Sequence, residues 1–205
     1  MGERCVAGIE VSRGKPIAWV RPVSKREHED LDARERRYRN GDEPKLLDLV
    51  EMLLLEPRPH GYQTENWLID PKQRWKLVGS YSWDDLVKLV SYKRPLWIDG
   101  YNSQHGLNDH VPIPEALTLD HSLRIIHVPW LTIRVFKVMY RPAVQAEFTF
   151  AGSHYRLRVT DPAIEAAFLD TEGQFELGES CLTVSLGMLF NDSGYKLVAG
   201  VLPKP

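Results

Sequence analysis

The 205-residue chain carries 26 basic and 28 acidic residues and is 43% hydrophobic. This is the make-up of a folded chain with one large or two small domains, and it excludes a surface that is basic all over. Two cysteines, Cys5 and Cys181, exclude a disulfide-dense scaffold and a cysteine-rich zinc site, leaving room for one bridge in an oxidising compartment.

From the amino terminus, residues 5–11 and 16–23 read as two strands joined by the basic turn Ser12-Arg13-Gly14-Lys15. Residues 26–39 are densely charged with both signs, as a short surface helix would be, and Glu35 and Arg39 stand at favourable i,i+4 spacing. Asn40–Pro44 breaks the chain. Leu46–Leu55 is the most apolar run; its periodicity fits strand or helix, and Pro44, Pro57 and Pro59 around it favour a strand. A further strand is centred on Glu65–Asp70. Ser82 followed by Asp85 then predicts a capped helix.

Residues 99–121, rich in Gly, Asn, Asp, His and Pro, read as an interdomain or long functional loop. Leu123–Val128 and Leu131–Val138 follow, as one strand bent near Pro129 or as two. The clearest signal is the stretch Val144–Thr160. Val144, Ala146, Phe148 and Phe150 alternate with polar residues; after the turn Ala151-Gly152-Ser153, Tyr155, Leu157 and Val159 do the same. Period two on both sides of a turn predicts a hairpin with one buried and one solvated face. Asp161-Pro162 caps a short helix through Phe168, and Leu182–Leu186 and Tyr195–Leu202 supply the final strands.

No apolar run approaches the ~20 residues needed to cross a bilayer. The first residues lack the apolar core of a signal peptide, and Val6 breaks the usual myristoylation pattern. A cytoplasmic protein without a membrane partner is the expectation.

Several strings resemble those of the bacterial dual OB-fold family, whose members carry tandem oligonucleotide-binding folds. They are RCVAG at Arg4–Gly8, WVRPVS at Trp19–Ser24, EPKLLDLVE at Glu43–Glu51 and QTENWLID at Gln63–Asp70. FTFAGSHYRLRVTDP at Phe148–Pro162, LTVSLG at Leu182–Gly187 and YKLVAGV at Tyr195–Val201 continue the series over nearly the whole chain. The resemblance implies a mainly β protein with short helices: two OB-like small barrels in tandem, generally without catalytic residues. It also implies binding of nucleic acid or a related ligand, in some members in bacterial conflict or defence settings. The expected domains are residues 1–118, a first barrel with the charged segment and the loop inserted, and residues 119–205, a second barrel. Family members often begin with an extra strand ahead of RCVAG, where this chain starts. Either the first barrel is short of an edge strand or its start lies elsewhere.

OB barrels hold single strands with aromatic platforms and a basic groove. In the first half, Arg13, Lys15, Trp19 and Arg21 share one hairpin. If Ala18 and Val20 point inward, Trp19 and Arg21 stand outside as a stacking and phosphate pair; otherwise Trp19 is core and Arg21 pairs with a carboxylate such as Glu51. Asn66 and Trp67, beside Gln63 and Glu65, form a polar–aromatic cluster that either reads a ligand by paired hydrogen bonds or caps loops. Arg156 and Arg158 project from one face of the second hairpin, with Lys196 on the last strand. They suit a phosphate track or, equally, cross-strand pairing with Glu147.

No catalytic residue, metal site or cofactor is expected. The histidines match no zinc spacing, and Ser185 lacks the nucleophile elbow. His105 and His110 mark the loop as the weakest candidate for an enzyme site. The sequence therefore points to a non-enzymatic nucleic-acid-binding module. The alternative is a protein–protein adaptor for a separate effector, using its barrels or the charged 26–39 segment.

Overall fold

Pairs of adjacent left-handed residues turn the chain back on itself at four places: Arg13-Gly14, Met139-Tyr140, Ala151-Gly152 and Asn191-Asp192. Positive φ at both residues gives a two-residue turn whose twist matches that of the strands it joins. In the computed structural model, which describes residues 5–26, 29–90 and 93–205, these turns organise two compact units, Met1–Leu89 and Val90–Pro205. The division falls earlier than the boundary after residue 118 expected from sequence. Residues 93–118 lie with the second unit because their backbone pairs there.

The first unit contains strands β1 (Gly8–Ser12) and β2 (Lys15–Val23), helix α1 (Ala33–Arg36), and strands β3 (Asp48–Glu51) and β4 (Leu54–Pro57). Strands β5 (Asn66–Ile69) and β6 (Lys76–Ser80) and helix α2 (Trp83–Leu89) complete it. The sheet order is β1-β2-β5-β4, with β2 and β5 parallel, and β3 pairs antiparallel with β6. A small core of Leu31, Tyr38, Ile69 and Trp75 lies beneath. The charged segment gives only one turn of helix, because Asp32 caps it and Glu35 bonds back to the Asp32 amide. Glu35 thus pairs with Arg26 instead of Arg39. Glu27 and His28 of this segment, and Arg4 of RCVAG, lie outside the described residues. Ser82 caps α2 as expected, accepting from the Asp85 amide at 3.1 Å.

The second unit begins with a strap that includes β7 (His110–Pro112) and α3 (Ile113–Ala116). Then come β8 (Leu123–Val138), β9 (Arg141–Phe150), β10 (Ser153–Val159), α4 (Pro162–Phe168), β11 (Gly173–Phe190) and β12 (Ser193–Pro203). The sheet order β10-β9-β8-β11-β12 closes on itself through a parallel pairing of β10 with β12 at Arg158–Leu197 and Val159–Val198. A five-stranded barrel with a helix between its third and fourth strands, the third parallel to the fifth, is the OB arrangement. The first unit follows the same succession of neighbours, entered one strand later. Here β1, β2 and β5 take the places of β9, β10 and β12; β4 and β3 share that of β11; and β6 lies on β3 as β8 lies on β11.

Val144, Ala146, Phe148, Phe150, Tyr155, Leu157 and Val159 all face the barrel core, as their alternation predicts. Pro129 does not divide β8. The strand runs through it, and shifted pairing with β11 around Gly178 absorbs the irregularity. Neither cysteine is in a disulfide, and no described helix is long and apolar enough to cross a membrane.

Asp161 joins the helix to the closing strand. Its Oδ1 accepts from the Ala163 amide at 2.8 Å at the start of α4, and its Oδ2 accepts from the Val201 amide at 2.8 Å on β12. Asp161→Ala removes both bonds from a buried position and is expected to cost about 2 kcal/mol in urea unfolding. Asp161→Asn, which keeps one acceptor, is expected to cost less; costs equal to those of Ala would show that the cap, which Asn can still supply, carries none of the effect.

Candidate nucleic-acid interface

The outer face of β8, β9 and β10 is built by register. Thr132, Glu147 and Arg156 stand in one cross-strand row, and Arg134, Gln145 and Arg158 in the next. Glu147 accepts both Arg156 at 3.3 Å and Arg134 at 3.6 Å, so two guanidinium groups share one carboxylate. Arg158 reaches Glu165 on α4 at 3.3 Å. The cross-strand pairing weighed for Arg156 is therefore present, yet Arg134, Arg156 and Arg158 face only Glu147 and Glu165, so the face keeps an excess of positive charge.

That face continues into the β8–β9 hairpin, whose sequence Arg134–Arg141 reads RVFKVMYR. Phe136 lies beside Arg134, with the guanidinium carbon 5.8 Å from its ring centroid. Lys137 pairs with Glu172, and Arg141 is exposed. The tip residues Met139 and Tyr140 are 88% and 95% exposed and both hold positive φ. Bulky side chains are uncommon in that backbone region, where Asn-Gly is the favoured pair. Tyr140 is thus fully presented to solvent on a turn whose geometry favours a different sequence.

A loop of the strap lies across part of this face. The Gln145 amide donates to the His105 carbonyl at 2.9 Å, and Asn108 donates to the His154 carbonyl at 2.8 Å. Leu107 and Arg156 exchange both backbone bonds, and the His105 ring lies 5.6 Å from Phe136. Asp109 holds the loop from inside, accepting from the Ser103 amide and hydroxyl at 2.8 and 2.5 Å. Gly106 passes so close to Asp109 that an added Cβ would sit 1.9 Å from a carboxylate oxygen. His105 and His110 therefore belong to a fixed strap. Among the described residues, no group of His, Cys, Asp or Glu could hold a metal ion.

The structure takes several sequence-predicted site residues off the surface. Lys196 is 1% exposed. Its ammonium donates to the Ile98 carbonyl at 2.7 Å and the Asp99 carboxylate at 3.3 Å, and lies 5.4 Å from the Tyr155 ring centroid. Tyr155, fully buried, donates to Asp99 at 2.8 Å and accepts from the Leu96 amide at 3.0 Å. Lys196 thus fastens the strap to the barrel and cannot meet a phosphate in this fold. Alternation hid this, because a lysine at an inward position of β12 needs a carboxylate from a distant segment.

Arg21 is likewise buried, 3.5 Å from Glu65, and points to the same side of β2 as Val23. Burial works against its charge, and Glu65 is the main group that supports it. The arrangement with Ala18 and Val20 inside is not adopted: Ala18 is exposed and Trp19 half-buried. Asn66 is fully buried and donates to Glu29 at 3.2 Å, and Trp67 beside it is half-buried. Arg13 and Lys15 stay exposed on the β1–β2 turn. In the charged segment, Arg26 pairs with Asp32 and Glu35, and Arg36 with Glu43 and the Leu31 carbonyl. Sequence reasoning missed Arg134, Phe136, Tyr140 and Arg141; the signal was RVFKVMYR, three cations and two aromatics without an acid.

The closed second barrel, and a first unit whose four-stranded and two-stranded sheets follow the same strand succession, define a tandem OB-fold protein. The profile of the dual OB-containing domain family matches residues 1–201, and the chain belongs to that family. No curated protein and no solved structure shows detectable similarity to it.

The Lys196 site makes stability depend on pH. Burial pushes the ammonium down to about 8 against the pull of Asp99. Between that value and the usual lysine range the unfolded chain binds more protons, so stability rises with pH through this window. Lys196→Met is expected to lose this rise in unfolding measured from neutral to alkaline pH. An identical pH profile in both proteins would contradict the assignment. Asp99→Ala, which leaves the buried ammonium unpaired, is expected to cost about 3 kcal/mol near neutral pH.

Proposed function

We propose that the protein is a non-enzymatic module that binds single-stranded nucleic acid on the outer face of β8–β10 and the β8–β9 hairpin. The observation that carries this reading is the Arg134–Arg141 hairpin, where Phe136 and exposed Tyr140 stand among Arg134, Lys137 and Arg141. OB folds engage ligands on the face of their second and third strands and on the adjoining loops. Stacking faces interleaved with cations suit bases and phosphates. Arg156 and Arg158 extend the positive track, and Arg13 and Lys15 form a smaller basic tip on the first unit. The bacterial conflict or defence setting implied by the family resemblance fits a module that senses a nucleic acid and relies on another protein to act. The alternative, an adaptor for an effector, is favoured by a different surface of the same unit.

Titration of fluorescent oligothymidylate and oligouridylate at low salt tests this reading. Tyr140→Ala is expected to weaken binding by about 1–3 kcal/mol. Arg141→Ala is expected to flatten the salt dependence by about 0.7 in log–log slope, one phosphate's share on a single strand. Absence of binding to either oligonucleotide at low salt would refute the proposal.

A further inference from the structure

The opposite end of the second barrel has the reverse character. Along β8, the β8–β9 hairpin lies at one end and the β11–β12 hairpin at the other, because β11 runs antiparallel to β8. The β11–β12 hairpin packs with β7 and α3: β7 pairs with β12, and the Ile113 amide donates to the Asp192 carbonyl at 3.1 Å. The two segments that build this end, residues 110–122 and 185–195, contain neither lysine nor arginine. They contain Glu115, Asp120 and Asp192, and Arg124 at the start of β8 acts on the charge of Asp120. The hairpin and helix at this end therefore carry carboxylates where the β8–β9 hairpin carries cations.

A row of rings crosses it. Tyr195 and His110 are cross-strand partners with centroids 5.5 Å apart; Phe190 continues the row from Tyr195 at 6.4 Å, and Tyr101 from His110 at 5.9 Å. Phe190 is 65% exposed, and exposed Leu117 and Leu189 adjoin the same hairpin and helix. Glu115 accepts from the Tyr101 hydroxyl at 3.1 Å through Oε1. Its Oε2 is shielded from water and has no hydrogen-bond partner among the described residues.

From this juxtaposition we propose a second, protein-binding site at the β11–β12 end, which docks an arginine-bearing, partly apolar segment of a partner protein. A guanidinium stacks on an aromatic face, and carboxylates beside the ring supply its counter-charge. Phe190 and its aliphatic neighbours would cover the apolar residues of the segment. The shielded Glu115 Oε2, without a partner among the described residues, would gain one if a side-chain shift let the guanidinium reach it. The β11–β12 hairpin lies at the other end of β8 from the Arg134–Arg141 hairpin, so one chain could hold a nucleic acid at one end and a basic protein segment at the other.

The test uses the full chain, with fluorescence anisotropy of a short synthetic peptide of arginine, leucine and serine. Counterparts carry glutamate or lysine in place of arginine. The arginine peptide is expected to bind best, the lysine peptide more weakly and the glutamate peptide not at all. Phe190→Ser and Asp192→Lys, both at the exposed hairpin, are each expected to weaken the arginine peptide about tenfold. Oligothymidylate binding measured on the same variants is expected to be unchanged, which separates failure of this site from failure of the nucleic-acid reading. No binding of the arginine peptide, equal binding of the glutamate peptide, or indifference to both substitutions would overturn the proposal. So would a dimer in light scattering that Phe190→Ser dissociates, because the occupant would then be a second copy of the chain.

Discussion

The second barrel depends on one seam. Strands β10 and β12 run parallel and pair only at Arg158–Leu197 and Val159–Val198, so their earlier residues leave backbone groups to be satisfied elsewhere. The strap meets that need: Leu107 pairs with Arg156 on one side, and His110–Pro112 pairs with β12 on the other. Asp99 then fastens strap to barrel by meeting both Tyr155 and Lys196. A buried charged pair is weak evidence for stability in itself, since desolvation offsets much of the attraction. Its contribution here is register, because a carboxylate at any other position would leave the buried ammonium unmet. Loop residues held in this way lie across the outer face of β9 and β10.

The pleat made much of this architecture legible. In Val144–Thr160 strict alternation placed every core residue of the hairpin and set Arg156 opposite Glu147, because a one-residue slip would turn the apolar set outward. Asp161 and Ser82 marked helix starts because capping is local chemistry. What escaped was non-local. Strand β6 is exposed along its length and gives no alternation, and Lys196 reads as a surface cation until Asp99 is brought to it. The charged 26–39 segment read as a surface helix along its length, but Arg26 is committed to Asp32 and Glu35, and Arg36 to Glu43 beyond the segment.

The site was half legible for the same reason. Alternation placed Arg156 and Arg158 on one outward face, as the register has them. Arg21 was placed outside by assuming that Ala18 and Val20 point inward, and Asn66 was chosen by residue type, which does not distinguish a ligand contact from a buried polar group satisfied by the fold. The hairpin Arg134–Arg141 carried its signal openly, in composition. Its weight came from the structure, which places Tyr140 at a turn with nearly complete exposure. Charge then separates along the barrel: cations with aromatics at the β8–β9 end, carboxylates with aromatics at the β11–β12 end. Near-neutral net charge conceals two surfaces of opposite charge.

Backbone amide NMR of the full chain during titration with oligothymidylate tests this account most directly. The account predicts chemical-shift changes confined to Arg134–Arg141, the outward residues of β9 and β10, and the loop around His105. Changes centred on β7 and the β11–β12 hairpin, or no changes at all, would contradict it.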